Sequence, residues 1–124
     1  MENAIKYDQS FWDKVLDNLN KGQYVKEFAN LGTIAFEVID EPSCKTFIKW
    51  DSDGFAKIIG ATDNLIATFS ATVVNWDKFI DGKFNAAQGV LLGKIKFSGS
   101  LRKIIKYVGA FNHLAKCGKI ATKN

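Results

Sequence analysis

The chain contains few of the residue types that carry common catalytic or metal chemistry. Its 124 residues include one histidine, two cysteines, one proline and one methionine. Cys44 and Cys117 lie far apart, so neither a disulfide scaffold nor a zinc site with closely spaced ligands is expected. No HExxH segment, nucleophile elbow or other zinc-ligand spacing is present. We therefore expect no metal and no cofactor.

Targeting and membrane-spanning segments are missing from the sequence as well. The first residues contain no basic stretch followed by an apolar run, and the chain ends in ATKN, which is neither a peroxisomal nor a retention signal. No apolar run approaches the roughly 18 residues that a membrane span needs. We expect a soluble protein of the reduced cytoplasm, folded as one domain over residues 1–124.

A glycine-rich stretch over residues 87–100, AQGVLLGKIKFSGS, has some features of a phosphate-binding loop. A Walker A loop needs a glycine, four residues and then Gly-Lys-Ser/Thr. Counting back from Gly93-Lys94 puts Gln88 at the first glycine position, and Ile95 stands at the hydroxyl position. Gly93 is also predicted to end a helix and precede a strand, the reverse of the order in a phosphate loop. The pattern excludes a phosphate loop here.

The net charge of the chain is mild and its lysines are scattered along the sequence. The net charge is +4 and the lysines form no block, so binding to nucleic acid is not expected. Arg102, Lys103 and Lys106 lie on the outward side of the last predicted helix and are candidates for contact with an anionic membrane or an acidic partner. A solvated helix face is the commoner explanation. The oligomeric state stays open.

Hydrophobic periodicity divides the chain into helices and strands. A period near 3.6 predicts helices over 8–22, 23–32, 75–82, 85–93 and 100–116. Alternation predicts strands over 33–40, 44–51, 54–61, 65–74 and 94–99. Ser10, Asn75, Asn85 and Ser100 are the predicted helix caps. The predicted fold class is α+β, with a five-stranded, mainly antiparallel sheet formed by a four-strand meander and a fifth strand, and covered by helices.

Bulky apolar side chains are plentiful, with ten phenylalanines and three tryptophans. Two apolar layers that pack fully make a core, whereas layers held apart by short helices enclose a cavity of roughly a few hundred Å³. Apolar stripes at helical spacing more often form a core, so the residues by themselves favour the closed alternative.

The segment over residues 75–111, NWDKFIDGKFNAAQGVLLGKIKFSGSLRKIIKYVGAF, resembles the C-terminal half of the sterol carrier protein type 2 family. Asp81-Gly82-Lys83 matches the end of the first helix of that pattern. Residues 85–92 match the small-residue helix that carries lipid-facing side chains, and residues 93–99 match the strand that follows. The leading helix and the first four strands agree with the family's first half, so the resemblance spans nearly the whole chain.

The resemblance implies a non-catalytic intracellular protein that binds or transfers lipid in an apolar tunnel between sheet and helices. The tunnel would accept a fatty acid, an acyl-CoA, a sterol or a similar apolar ligand. The residues expected to line it come from the fourth and fifth strands and the later helices: Phe69, Val73, Trp76, Phe79, Ile80, Ala87, Gln88, Val90, Leu91, Ile95, Phe97, Ile104, Ile105 and Val108. Gln88 either meets a lipid head group or lies on the solvated side of its helix.

Two other function classes stay open. An accessory or interaction subunit would dock a partner through the same apolar groove. A small enzyme would use His113 together with Cys117, four residues later on one helix face. No Asn or Asp is placed to orient that pair, so we interpret the spacing as coincidence. Asp77 and Asp81 have the same spacing and are interpreted as a solvated helix face.

Overall fold

The computed structural model describes residues 7–21, 23–40, 44–100, 102 and 108–122. The helices are α1 (Gln9–Lys21), a short 3-10 helix (Gln23–Phe28), α2 (Val73–Ile80), α3 (Ala86–Leu91) and α4 (Val108–Thr122). The strands are β1 (Gly32–Val38), β2 (Cys44–Trp50), β3 (Ala56–Ile59), β4 (Ala67–Ala71) and β5 (Lys96–Gly99). The predicted α+β class with five strands is confirmed.

The strands form one sheet in the order β3-β2-β1-β4-β5. The three antiparallel pairings are β1 with β2, β2 with β3, and β4 with β5. β4 instead lies parallel to β1, with Ile34 opposite Ala67 and Phe36 opposite Phe69. The prediction of a mainly antiparallel sheet is confirmed, but the four-strand meander is wrong. The meander ends after β3, and the chain then crosses to the other side of β1.

One face of the sheet is apolar and the other is largely polar. The alternating positions that face the core are all buried: Ile34, Phe36, Val38, Ile48, Trp50, Ala67, Phe69 and Ala71. The opposite face presents exposed lysines, among them Lys45, Lys49 and Lys57. The period-two pattern therefore predicted correctly which residues of these strands point inward.

Helices cover the apolar face. α1 packs along α4 and against β3, and α2 lies between β4 and α4. α1 buries Phe11, Trp12, Val15 and further apolar residues at helical spacing, as the sequence predicts. The inward faces of sheet and helices merge into one hydrophobic cluster that runs the length of the sheet.

Two of the predicted helix caps are wrong. The Asp8 carboxylate accepts a hydrogen bond from the Phe11 backbone N–H at 2.9 Å, so Asp8, not Ser10, caps α1. Thr72 caps α2, because its hydroxyl accepts from the Asn75 N–H at 3.2 Å. Consequently Val73 and Val74 belong to α2, and the strand predicted over 65–74 ends at Ala71.

The predicted cap of α3 is confirmed. The Asn85 side chain accepts from the Gln88 backbone N–H at 2.8 Å, and the Gln88 side chain accepts from the Asn85 backbone N–H at 2.9 Å. This reciprocal capping box fixes the start of a helix only six residues long. Gly22 and most of the start of the last predicted helix lie outside the described residues, so Ser100 as its cap stays a prediction.

Candidate functional site

An apolar cavity lies between the sheet and the helices. α1 and α2 contribute most of its aromatic lining, β1 forms the facing wall, and α4 contributes one leucine. The lining residues are Tyr7, Phe11, Trp12, Phe36, Val38, Cys44, Trp76, Phe79, Ile80 and Leu114. The free space inside is about 10 Å³, which is room for one water molecule at most. In this structure the lining side chains fill the space between the two layers almost completely; we call it the inner cavity.

The aromatic lining meets largely at steep or tilted angles. Phe11 and Trp12 meet edge to face with ring centroids 5.2 Å apart, and Trp12 lies 4.9 Å from Phe36 at a tilt. Trp76 and Phe79 are 5.8 Å apart and close to perpendicular. The Trp76 indole N–H donates to the Glu37 carbonyl at 2.9 Å, which holds this ring in place. Edge-to-face and tilted pairs are favourable arrangements of aromatic rings, so this lining forms a packed wall.

Tyr7 closes one end of the inner cavity. Its ring packs edge-on against Phe11, with centroids 4.8 Å apart, and its hydroxyl donates to the Asp77 carboxylate. The Tyr7 carbonyl accepts from the Cys44 thiol at 3.4 Å. Burial, together with the hydrogen bond and the negative charge of Asp77, raises the pKa of the Tyr7 phenol above its ordinary value of 10.0. The phenol therefore stays protonated at neutral pH and acts as a donor that ties the start of α1 to α2.

Two open clefts lie on the outer side of α2. The Tyr7 cleft, about 290 Å³, is lined by Tyr7, Asp77, Lys78, Ile80, Asp81, Lys83 and Lys119. The Phe84 cleft, about 260 Å³, is lined by Phe79, Ile80, Asp81, Gly82, Phe84, Asn85, Asn112, Ala115, Lys116 and Lys119. Ile80 belongs to both clefts and also to the inner cavity. Its side chain is thus part of the wall between the interior and solvent.

The contact between α2 and α4 at this wall is thin. Gly118 of α4 lies directly against Ile80, and a Cβ at that position would come within 2.6 Å of the Ile80 Cδ1 atom. Beside it, Lys119 Nζ lies 3.6 Å from the Asp81 carboxylate, with both side chains about half exposed. An exposed ion pair of this kind contributes roughly 1 kcal/mol or less. The α2–α4 seam is therefore held mainly by van der Waals contacts of small extent.

The residues predicted to bind lipid fall into several groups. Trp76, Phe79 and Ile80 line the inner cavity. Five others are core residues or pack against the core without lining the cavity: Phe69, Ile95, Val73, Val90 and Phe97. The side chains of Ile104, Ile105 and Val108 lie outside the described part of the chain, so their role stays a prediction.

Ala87, Gln88 and Leu91 lie on the exposed side of α3, away from the inner cavity. The reason is the packing of Gly89, where an added Cβ would meet Phe84 and Ile95, each at 2.8 Å. α3 therefore turns Gly89 and its neighbour Val90 inward. Gln88 lies on the solvated side, where its side chain completes the capping box.

Sequence reasoning did not assign most of the lining to the site. Phe36 and Val38 fall in the strand predicted over 33–40, and Trp12 falls in the helix predicted over 8–22, but none of them was assigned to the site. Nothing local distinguishes them from core positions, since a cavity wall and a core position have the same periodicity. Tyr7 and Cys44 gave no signal, because the contact between them is made across 37 positions.

The chemistry expected of a catalytic Cys–His pair is not supported. Cys117 Sγ lies 3.6 Å from His113 Nε2. Burial raises the pKa of the Cys117 thiol, and burial, followed by the charge of Lys116, lowers the pKa of the His113 imidazole. Both shifts favour the neutral forms, whereas an activated nucleophile needs a stabilised thiolate. Within the described residues, no three His, Cys, Asp or Glu side chains are grouped so that they could hold a metal ion.

Comparisons with known proteins give similarity in structure only. No family model matches the chain, and no curated protein matches it. A protein from Thermus thermophilus, described as a candidate sterol carrier protein, superposes with a TM-score of 0.78 at 14% identity, covering 98% of this chain and 92% of its own. Sterol carrier protein 2 superposes with a TM-score of 0.75 at 14% identity, covering 90% of this chain and 95% of its own.

A third similar structure is the ubiquinone synthesis protein UbiJ-SCP2, with a TM-score of 0.58 at 16% identity, covering 82% of this chain and 92% of its own. The resemblance predicted from residues 75–111 is thus confirmed at the level of the fold. Among the described residues, no helix is both long enough and apolar enough to cross a membrane.

Proposed function

We propose that this chain, which has the fold of sterol carrier protein 2, is a non-catalytic carrier that holds an apolar ligand in the inner cavity. A fatty acid, an acyl-CoA, a sterol or a similar lipid is the expected cargo. The observation that carries the proposal is the enclosed apolar lining between β1, α1, α2 and α4. The reduced cytoplasm predicted from the sequence is part of this proposal, as is the treatment of residues 1–124 as one domain.

The ligand creates its own space. The inner cavity is nearly full without a guest, so binding has to move side chains and spread the helices from the sheet. Burial of a methylene group contributes about 0.8 kcal/mol, so a chain of about fourteen methylenes gains roughly 11 kcal/mol before the opening cost. This gain is large enough to offset a rearrangement of several core contacts. A tunnel of the kind predicted from the resemblance is thus a property of the loaded protein.

The α2–α4 seam is the proposed entrance. Phe79 and Ile80 separate the Phe84 cleft from the inner cavity, and the described contacts of the seam include that of Gly118 with Ile80 and the exposed ion pair of Lys119 with Asp81. A small outward movement of α4 at Gly118 joins the cleft to the cavity. The predicted lipid contacts of Ile104, Ile105 and Val108 belong to the same proposal, because these residues immediately precede α4 or begin it.

Native mass spectrometry of the freshly purified protein, with organic extraction, tests the proposal. A discrete extra mass that extracts as a lipid supports it. The protein is then unfolded, stripped, refolded and titrated with a fluorescent fatty acid in competition with acyl-CoA, sterol and quinone. Failure to take up any of these ligands, by a refolded protein with the parent's circular dichroism, would overturn it.

A matched pair of variants locates the binding. Ile80→Ala thins the wall between the inner cavity and both clefts, so ligand release is expected to speed up severalfold. Ile120→Ala makes the same change at an exposed position of α4 and is expected to leave release unchanged. If the two substitutions changed the rate of ligand release equally, the ligand would bind outside the inner cavity.

An accessory subunit is the second candidate, favoured by the similarity to UbiJ-SCP2, a ubiquinone synthesis protein. In that case the apolar lining would receive a segment of a partner chain. Stripped protein that takes up no lipid but forms a stable complex with one enzyme would favour this alternative.

A further inference from the structure

The charges of the chain are divided sharply at Asp81. Residues 1–81 contain all 13 carboxylate side chains and eight cationic ones, whereas residues 82–124 contain nine cationic side chains and no Asp or Glu. The net charge of +4 therefore combines −5 in the first part with +9 in the last. Such a charge difference between two parts of one chain is typical of contact with an anionic macromolecule or surface.

Two adjacent leucines project from this cationic part. Leu91 is 85% exposed and Leu92 is 66% exposed, at the turn that joins α3 to β5. Exposed Lys83 precedes α3, and Lys94 and Lys96 follow the turn. We call Leu91 and Leu92 together with these three lysines the dileucine tip. A pair of consecutive, strongly exposed leucines surrounded by lysines differs from the single exposed apolar residues of an ordinary surface.

The local fold pushes the leucines outward. Gly89 takes the inward position of α3, in close contact with Phe84 and Ile95. The chain then reverses at Gly93, which has a positive φ of 72°, and the Leu92 N–H donates to the Gln88 carbonyl at 2.9 Å. Neither leucine belongs to the core cluster. Substitutions at these two positions therefore remove no core packing.

The cations of the dileucine tip are available to an anionic surface. Lys83 Nζ lies 3.6 Å from the Asp81 carboxylate, an exposed pair that salt and competing anions weaken. Within the described ranges no carboxylate forms an ion pair with Lys94 or Lys96. The tip thus offers a short apolar projection with cations around it.

We propose that the dileucine tip docks the protein on an anionic lipid bilayer, with Leu91 and Leu92 inserted at the interface and the lysines against the lipid head groups. Insertion of apolar side chains and attraction of flanking lysines are the two contributions that hold peripheral proteins on anionic membranes. The proposal does not rest on the cargo, since docking needs no occupied cavity.

A bilayer fits these observations better than a nucleic acid does. Nucleic-acid surfaces rely heavily on arginine and on stacked aromatic side chains, whereas the whole chain has one arginine, Arg102. The projecting side chains here are leucines, which neither hydrogen-bond to base edges nor offer an aromatic ring for base stacking. The two leucines match the apolar interior of a bilayer, and the lysines around them match its anionic head groups.

Vesicle flotation of the full-length protein tests the docking. Vesicles of phosphatidylcholine alone are compared with vesicles that also contain phosphatidylserine. We expect binding to the anionic vesicles, and weakening of that binding at about 1 M salt, where the screening length falls to about 3 Å. Equal binding to both vesicle types, or no binding to either, would overturn the proposal. Preferential binding to RNA added as a competitor would overturn it as well.

Two matched variant pairs assign the contact to the tip. Leu91→Ser with Leu92→Ser is expected to lower the apparent affinity by about tenfold or more, whereas Phe55→Ser, at an exposed position in the acidic part, leaves it unchanged. Lys94→Glu with Lys96→Glu is expected to lower it more than fivefold. Lys45→Glu with Lys49→Glu makes the same net-charge change on β2 and should have a clearly smaller effect. Equal losses in the members of either pair would contradict the assignment.

Insertion itself has a spectroscopic readout. Trp12, Trp50 and Trp76 are all buried, so they add a constant background. Leu92→Trp places an indole at the tip, and its emission is expected to shift to the blue and to be quenched by brominated lipid. Phe55→Trp is the control and should show neither change. A tip indole that remains as exposed with vesicles as without them would exclude insertion.

Discussion

The two ends of the hydrophobic core use the same kinds of residue in different ways. At one end, Phe28 and Trp50 stack nearly parallel, at 11° with centroids 5.0 Å apart, and Leu19, Ile34 and Ile48 fill the space around them. At the other end, most aromatic pairs around the inner cavity meet edge-on or tilted, although Phe36 stacks on Phe69 at 17°. Only this second end lines a cavity that adjoins open clefts. We call these the packed end and the cavity end.

In the proposed function, one core has to serve both stability and uptake of a guest. The side chains named at the packed end are at most 2% exposed, so any loss of volume there leaves an empty hole. At the cavity end the neighbours include Tyr7 and the α2–α4 contact, which have to move apart in the proposed uptake. The four predictions below compare the two ends, from the largest expected effect to the smallest.

The largest effect is expected from removing a phenylalanine ring. Phe28→Ala should lower the free energy of unfolding by about 3–5 kcal/mol, because it leaves a hole at the packed end and unstacks Trp50. Phe79→Ala removes the same ring from the cavity end, beside the Phe84 cleft, and should cost about 1–2 kcal/mol less. Urea unfolding measures both. Ligand affinity should fall only for Phe79→Ala. Equal losses in the free energy of unfolding for the two variants would show that the two ends do not differ.

The second-largest effect is expected from enlarging a buried side chain. Val38→Phe adds a ring to the nearly full inner cavity, so stability is expected to fall by about 1–3 kcal/mol and ligand uptake at least tenfold. The loss of uptake should not occur for a substitution at the packed end. Ile48→Phe makes a comparable enlargement at the packed end, where Ile48 is fully buried, and should cost about 1–3 kcal/mol. Fluorescent ligand titration and urea unfolding test this pair. Unchanged uptake by a folded Val38→Phe variant would contradict the cavity as the binding site.

A smaller effect is expected from the tyrosine plug. Tyr7→Phe removes the hydrogen bond to the Asp77 carboxylate and should cost about 1–2 kcal/mol. Because folding raises the pKa of the Tyr7 phenol above 10.0, its contribution is complete below about pH 10 and is lost as the pH rises further. The parent should therefore lose stability above pH 10 more steeply than Tyr7→Phe. Equal losses of stability above pH 10 in the parent and in Tyr7→Phe would show that the Tyr7 phenol does not titrate as described.

The smallest effect concerns His113 on α4, which is near enough to Glu27, the neighbour of Phe28 at the packed end, to be influenced by its charge. Burial, and then the charge of Lys116, lowers its pKa below the ordinary 6.5, while Glu27 raises it slightly. A lowered pKa means that stability is complete above about pH 6.5 and falls as the pH drops below it. His113→Gln should flatten the stability profile between about pH 7 and 5.5, measured by thermal unfolding. A stability profile that is the same in the parent and in His113→Gln would contradict the lowered pKa. Ligand binding should not differ between these two proteins.

The fold could be predicted from the sequence wherever the signal was local. Alternation identified all five strands, and the pattern around Asn85 identified the cap of α3. Caps that depend on competing neighbours were misassigned, since Asp8 and Thr72 outcompete Ser10 and Asn75. The place of β4 could not be obtained, because Ile34 and Ala67 pair across more than thirty residues and no local pattern encodes that choice.

The site was predictable only in part for the same reason. Trp76, Phe79 and Ile80 lie on one short helix whose periodicity identifies its inward face, so they were found. Leu91 was expected to line the tunnel because the resemblance implies lipid-facing side chains on its helix, but the close contacts of Gly89 turn α3 the other way. Tyr7 was missed because its role depends on Asp77, seventy residues away.

The sequence by itself determined the strand and helix pattern, the apolar face of the sheet, the absence of a metal-ligand or phosphate-loop motif, and the likeness of residues 75–111 to a lipid-carrier family. These features depend on residue types within about ten positions of one another, where side-chain periodicity and capping act. Only the tertiary structure decided that β4 lies beside β1, that the side chains lining the inner cavity almost fill it, and that Leu91 and Leu92 face solvent. Each of these depends on how distant surfaces fit together, since contact between them is made only when the whole chain has folded.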